Sequence, residues 1–144
     1  MERRPLTPEE ERFVEGQGVL KIATTAPDFT PHVVPLCFVY KDGVFYTHLK
    51  NRGEYKRVRN IQRTKKVAIL IDWYNPNWKL GQKRGGNVGV LVKGRPEILE
   101  SGKENAESRR LLVGKYPQYA GSEIERGCPM LKVSVQRVVS WGFG

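Results

Sequence analysis

The stretch Tyr46-Thr47-His48-Leu49-Lys50-Asn51-Arg52-Gly53, followed closely by Lys56, Arg57, Arg59 and Asn60, gathers the side chains best suited to gripping an anion. Hydroxyls at a strand end, then cations and amides in a turn, then a helix start make a phosphate cradle through charge-assisted hydrogen bonds. Arginine suits the task because its planar fork can hold two phosphate oxygens at once. The same cations would also suit a solvated helix face, and composition alone does not separate the two readings. A second stretch, Pro31-His32-Val33-Val34-Pro35-Leu36-Cys37, is an apolar strand whose proline leaves part of the backbone unpaired. A flat ring cofactor needs such a surface, with apolar walls and peptide donors and acceptors at its edge, although core packing would equally explain Val33, Val34 and Leu36. Third come Trp73, Tyr74, Trp78 and Trp141. Trp73 fits a core or barrel-rim position, whereas Trp141, so near the chain end, fits packing across a dimer interface beside a ring.

No self-sufficient catalytic set accompanies these residues. HExxH, GxSxG and a Walker loop are absent, and Gly81 to Gly86 lacks the GxxxxGK[ST] pattern. Two histidines, His32 and His48, do not define a metal site, and Cys37 and Cys128 lack CxxC spacing, so both read as free thiols. Any redox chemistry must come from a borrowed cofactor.

The elements that would position these residues are legible from pattern. Thr7-Pro8-Glu9-Glu10 has the form of a capping box, which predicts a helix from Pro8 to Glu15. Val19 to Thr25 reads as a first strand, His32 to Tyr40 as a second, and Val44 to Leu49 as a third. Lys41-Asp42-Gly43 is the hairpin turn between the last two, and the three strands are expected to form a meander. Pro35 cannot donate to a ladder, so it belongs at a bulge or an open edge. Glu54 to Arg63 is helix-compatible and strongly basic, and Val67 to Tyr74 is a near-continuous apolar strand. Gly81 to Asn87 predicts a mobile loop. Val88 to Leu99 is a long strand, Lys103 to Val113 a helix, and Met130 to Trp141 the final strand. Six strands without βαβ alternation predict a mainly β fold: one antiparallel, Greek-key-like barrel with peripheral helices, spanning residues 1–144 as a single domain.

At 144 residues the chain is long enough for one substantial core. It has no run of about 20 apolar residues of the kind a membrane helix requires, and its start lacks the apolar segment of a signal peptide, which predicts a cytoplasmic protein without membrane contact. The formal net charge of +10 and pI near 9.8 predict an anionic partner, which could be nucleic acid, a phosphorylated cofactor or an acidic substrate.

Taken in order, several segments resemble the split-barrel flavoproteins of the pyridoxamine 5'-phosphate oxidase-like superfamily, especially its short flavin- or deazaflavin-dependent members. They are Gly18 to Thr24, Pro31 to Tyr40, Val44 to Thr47, Arg59-Asn60-Ile61, Lys66 to Trp78, Val92 to Leu99, Tyr116 to Tyr119 and Arg137 to Gly142. The similarity spans nearly the whole chain and rests on the shared order of weak fragments. It implies a six-stranded split barrel, a homodimer with flavin between the subunits, and an FMN-binding oxidoreductase. It also implies residue roles. His32, Val33, Val34, Pro35 and Leu36 would carry the ring, and Tyr46 and Thr47 would lie beside the ribityl chain. Lys50, Asn51 and Arg52 would meet the phosphate, supported by Arg57 or Arg59, with Trp141 near the ring. The deazaflavin F420 is the alternative cofactor, its acidic tail matching Lys83 and Arg84. A basic nucleic-acid-binding barrel is the alternative of another class, though no specific nucleic acid is expected, because the cations concentrate between Lys50 and Lys66 and no strand alternates exposed aromatics. The chain departs from oxidase members in offering Gly89, with Asn87 nearby, where they often carry a glutamine. Their C-terminal substrate-binding Arg and His are also not evident, so the resemblance does not extend to pyridoxamine phosphate oxidation.

Overall fold

The computed structural model describes residues 1–50, 55–82 and 86–143. Its first helix, α1 (Pro8–Glu15), forms for the reason its sequence gives: the Glu10 amide donates to Thr7 Oγ1 at 3.2 Å while the Thr7 amide donates to Glu10 Oε1 at 2.8 Å. Glu10 does more than cap. It is buried, is gripped by Arg4 at 2.7 Å and accepts from Ser140 near the end of the last strand, so the helix is tied to the sheet.

Seven strands follow: β1 (Leu20–Thr25), β2 (Pro31–Leu36), β3 (Val39–Lys41), β4 (Val44–His48), β5 (Val67–Trp73), β6 (Val88–Leu99) and β7 (Met130–Trp141). They form one antiparallel sheet in the order β2-β1-β5-β6-β7-β4-β3. The helices are α1, α2 (Lys56–Thr64), α3 (Lys103–Lys115) and the short α4 (Glu123–Arg126). Among the described residues no helix is long and apolar enough to cross a membrane.

The expected count of six strands is corrected to seven, and the meander to two separate hairpins. The run read as one strand from His32 to Tyr40 breaks at Cys37 and Phe38, and its halves lie at opposite edges of the sheet. Successive strands can occupy opposite edges only if the sheet curls until its edges approach, as in a split barrel. The corner is fixed from a distance. The Tyr116 hydroxyl accepts from the Phe38 amide at 3.1 Å and lies 2.8 Å and 3.0 Å from the carbonyls of Gly18 and Phe38. The β3–β4 turn is the one the sequence indicates, with Asp42 and Gly43 at φ of 50° and 83°, as a tight hairpin requires.

Register sorts the side chains into two faces. Ile22, Ile69, Val92 and Val138 are cross-strand neighbours and all buried, which defines the barrel interior with Phe38, Phe45, Leu49, Val58 and Ile61. A second core of Val39, Tyr46, Leu112, Tyr116, Ile124 and Met130 lies between α3 and the outside of β3, β4 and β7. Among the described residues no helix covers the remaining outer surface. Across it run Pro35, Lys21, Leu70, Leu91 and Val139 in one row, and Val33, Ala23, Ala68, Lys93 and Arg137 in the next.

Candidate functional site

The residues expected to bind a cofactor depend on how α2 docks. Val58 and Ile61 enter the core, and buried Asn60 donates through Nδ2 to Thr24 Oγ1 at 3.0 Å, fastening the helix to β1. Arg63 reinforces the contact by donating to the Thr25 carbonyl. With the helix held in this rotation, Arg57 turns inward while Lys56 and Arg59 face solvent.

Arg57 is the unusual cation. It is only 6% exposed, its guanidinium lies 3.8 Å from the centroid of the Tyr55 ring, and its Nε has no hydrogen-bond partner. Burial lowers its pKa from the ordinary value. His48, at the end of β4, stands edge-on to the Tyr119 ring at 5.6 Å and leaves Nδ1 unpartnered. Burial pushes its pKa down to about 4, and the charges of Lys50 and Arg57 push the same way. The imidazole is therefore neutral at physiological pH. Arg57 is buried and His48 half-buried, each has unmet bonding capacity with Lys50 nearby, and among the described residues no acid pairs with Arg57. An anion supplies what they lack, so the donor chemistry fits a phosphate group.

A second feature lies on the exposed side of α2. His32, Lys56, Arg59 and Asn60 line a groove of about 490 Å³ together with Pro31 and Asp28. The Asp28 side chain accepts from the Thr30 amide at 3.0 Å, which shapes the β1–β2 turn at the rim. His32 and Arg59 are thus brought together in a groove that neither Arg57 nor His48 lines.

The other expected residues fall as follows. β2 is an edge strand, as Pro35 requires, and Val33 and Pro35 face outward while Val34 and Leu36 pack against the barrel core. Tyr46 and Thr47 are buried with their hydroxyls already committed: Tyr46 donates to Glu104 at 2.6 Å and Thr47 to the Cys37 carbonyl at 2.9 Å. Lys50 is half-buried near His48. Asn51 and Arg52 lie outside the described residues, as do Lys83, Arg84 and Gly85 of the expected mobile loop. Trp141 is 42% exposed and lays its ring over Gly89, its cross-strand partner. A Cβ on Gly89 would stand 2.0 Å from Trp141 Cζ2, so the glutamine of oxidase members has no room while the indole keeps its place. Asn87, the nearby alternative, accepts through Oδ1 from the Asn75 amide and secures the Asn75-Pro76-Asn77 turn. Two participants were given no site role by the sequence reading. Tyr55 preceded the basic helix without any signal of its own, and Tyr119 comes from a segment more than 60 residues beyond His48.

Among known proteins, the pyridoxamine 5'-phosphate oxidase family matches residues 6–142. The chain belongs to this family. The fold is shared with solved structures at low identity. An FAD-binding protein from Mesorhizobium loti is 19% identical with a TM-score of 0.70, the match covering 97% of each chain. An F420 reductase is 18% identical with a TM-score of 0.68, covering 93% of this chain and 98% of its own. A haem storage protein from Vibrio cholerae is 15% identical with a TM-score of 0.75, covering 98% of each. No curated protein matches the chain significantly.

Proposed function

We propose that the protein is an FMN-binding oxidoreductase working as a homodimer. The observation that carries this reading is the unpartnered Arg57 Nε, together with His48 Nδ1 and the nearby Lys50, in a chain of the pyridoxamine 5'-phosphate oxidase family. The cofactor's phosphate would be held by Arg57 and Lys50 with help from Arg52, and its ring would lie against the exposed edge made by Val33 and Pro35. Bound flavin would supply the hydride or electron transfer. The chain's own residues bind it, orient it and exclude water.

The outer sheet face supports the dimer. Val33, Leu70, Leu91, Val139 and Trp141 share a surface that no described helix covers, and exposed apolar area of this kind is usually paired. A second copy would bring Trp141 towards the partner's ring. Light scattering should give twice 16.5 kDa, and Leu70→Glu, which plants a charge in the centre of the face, should yield a folded monomer. A wild-type monomer with flavin fully bound would remove the two-subunit site.

The reading is tested by the absorbance spectrum of the purified protein and by titration with FMN. An oxidised-flavin spectrum with saturable FMN binding is the expected result, whereas a deazaflavin spectrum with preference for F420 would transfer the same site to that cofactor. Failure to bind either would overturn the proposal.

A further inference from the structure

A second cluster of cations lies away from Arg57, around a groove of about 570 Å³ where the outer faces of β1, β5, β6 and β7 meet the end of α2. Lys65, Lys66, Lys93, Arg95 and Arg137 surround it, and no carboxylate lines it. Among the described residues none of the five has an ion pair, in contrast to Lys21, Lys41 and Lys132, each held by an acid. Lys65 and Lys66 have a local reason to be there, since cations are favoured at a helix C-terminus. Lys93, Arg95 and Arg137 have none. Lys93 and Arg137 are direct cross-strand partners on one face, an arrangement in which like charges destabilise the sheet.

The local backbone builds the groove. The register shifts between Lys93 and Gly94, leaving Gln136 as the extra residue of a bulge on β7. Bulges bend a strand and re-aim its side chains. Gly94 is required there, because a Cβ would stand 2.8 Å from the Ser134 carbonyl oxygen. Ala23 and Ala68, neighbours in the same cross-strand row as Lys93, give the groove a low floor that lets a ligand approach the sheet closely.

We infer that this groove binds an oligophosphate, of the kind carried by a nucleoside triphosphate or found free as an inorganic chain. Two arginine forks and three lysines match several phosphate groups, and the volume suits a small ligand. Single-stranded nucleic acid is disfavoured, since no aromatic side chain lines the groove to stack a base. The groove lies on the outer face that carries the proposed dimer contact, its cations in the row next to Leu70, Leu91 and Val139, and none of its lining residues belongs to the proposed flavin site.

The test is calorimetric titration of the full chain with tripolyphosphate and, separately, with ATP. Saturable binding of tripolyphosphate is expected, weakened about tenfold or more in the double variant K93Q/R137Q. FMN affinity should be unchanged, and the unliganded double variant should melt at a higher temperature because the facing charges are gone. The control R12Q/R110Q removes the same net charge from α1 and α3 and should leave binding intact. ATP binding that follows the same variants would identify a nucleotide as a source of the phosphate chain, and tripolyphosphate binding alone would identify the inorganic chain. Absence of saturable binding, equal weakening in the control, or tighter binding of an oligothymidine than of tripolyphosphate would overturn the inference.

Discussion

Replacing Arg57 by methionine separates the cost of this residue from its use. Arg57 is 6% exposed with Nε unpaired, so the unliganded protein bears the desolvation of an unsatisfied donor, about 1–3 kcal/mol. Against this, the contact with the Tyr55 ring at 3.8 Å returns some stability, about 0.5–2 kcal/mol. Methionine fills similar space without either term, so the two nearly cancel and Arg57→Met should leave unliganded stability within about 1 kcal/mol of wild type. Ligand binding behaves differently. A charge-assisted contact to phosphate is worth about 1.5–3 kcal/mol, so FMN affinity should fall about 10- to 150-fold. Riboflavin, which has the ring and ribityl chain but no phosphate, should bind the variant as it binds wild type. Fluorescence titration with both ligands and thermal denaturation without ligand provide the readouts. Equal weakening of FMN and riboflavin, or a large loss of stability with FMN affinity intact, would refute the assignment and make Arg57 a structural residue.

Two further outcomes follow from the same geometry. His48, with a folded pKa of about 4 against an ordinary 6.5, binds fewer protons folded than unfolded between those values, so stability should fall as pH drops through that window. Denaturant titrations across it should lose most of that slope in His48→Gln, and an unchanged slope would place the titration elsewhere. Gly89→Gln should expel the Trp141 indole, lowering the melting temperature and red-shifting tryptophan emission; an unperturbed spectrum would mean that the ring does not cover Gly89.

What the sequence disclosed follows the range of the interactions involved. The α1 capping box, the Asp42-Gly43 turn and the bounds of β6 and β7 are set by neighbours a few residues apart, and each could be read from local pattern. The break between β2 and β3 could not. Residues 31–41 are apolar enough to continue as one strand, and what bends them is a tyrosine hydroxyl 78 residues away from Phe38. The candidate site divides along the same line. Its cations were visible as a cluster, but choosing among Arg57 and Arg59 requires the rotation of α2, which Asn60 fixes by reaching Thr24, 36 residues earlier. His48 shows the same limit, because its depressed pKa arises from burial and from two cations that the fold brings near.

The departure at Gly89 joins the two levels. As a sequence feature it is only a missing glutamine, and nothing local explains the loss. The cross-strand register pairs Gly89 with Trp141, and the indole occupies the space that a side chain at 89 would need. The exchange replaces a polar group on the outer face with an aromatic one that is 42% exposed. A glutamine would offer hydrogen bonds to a ligand edge, whereas an indole offers a flat apolar surface. On the proposed function, a ligand reaching that position would meet stacking and apolar contact in place of the hydrogen bonds that a glutamine offers.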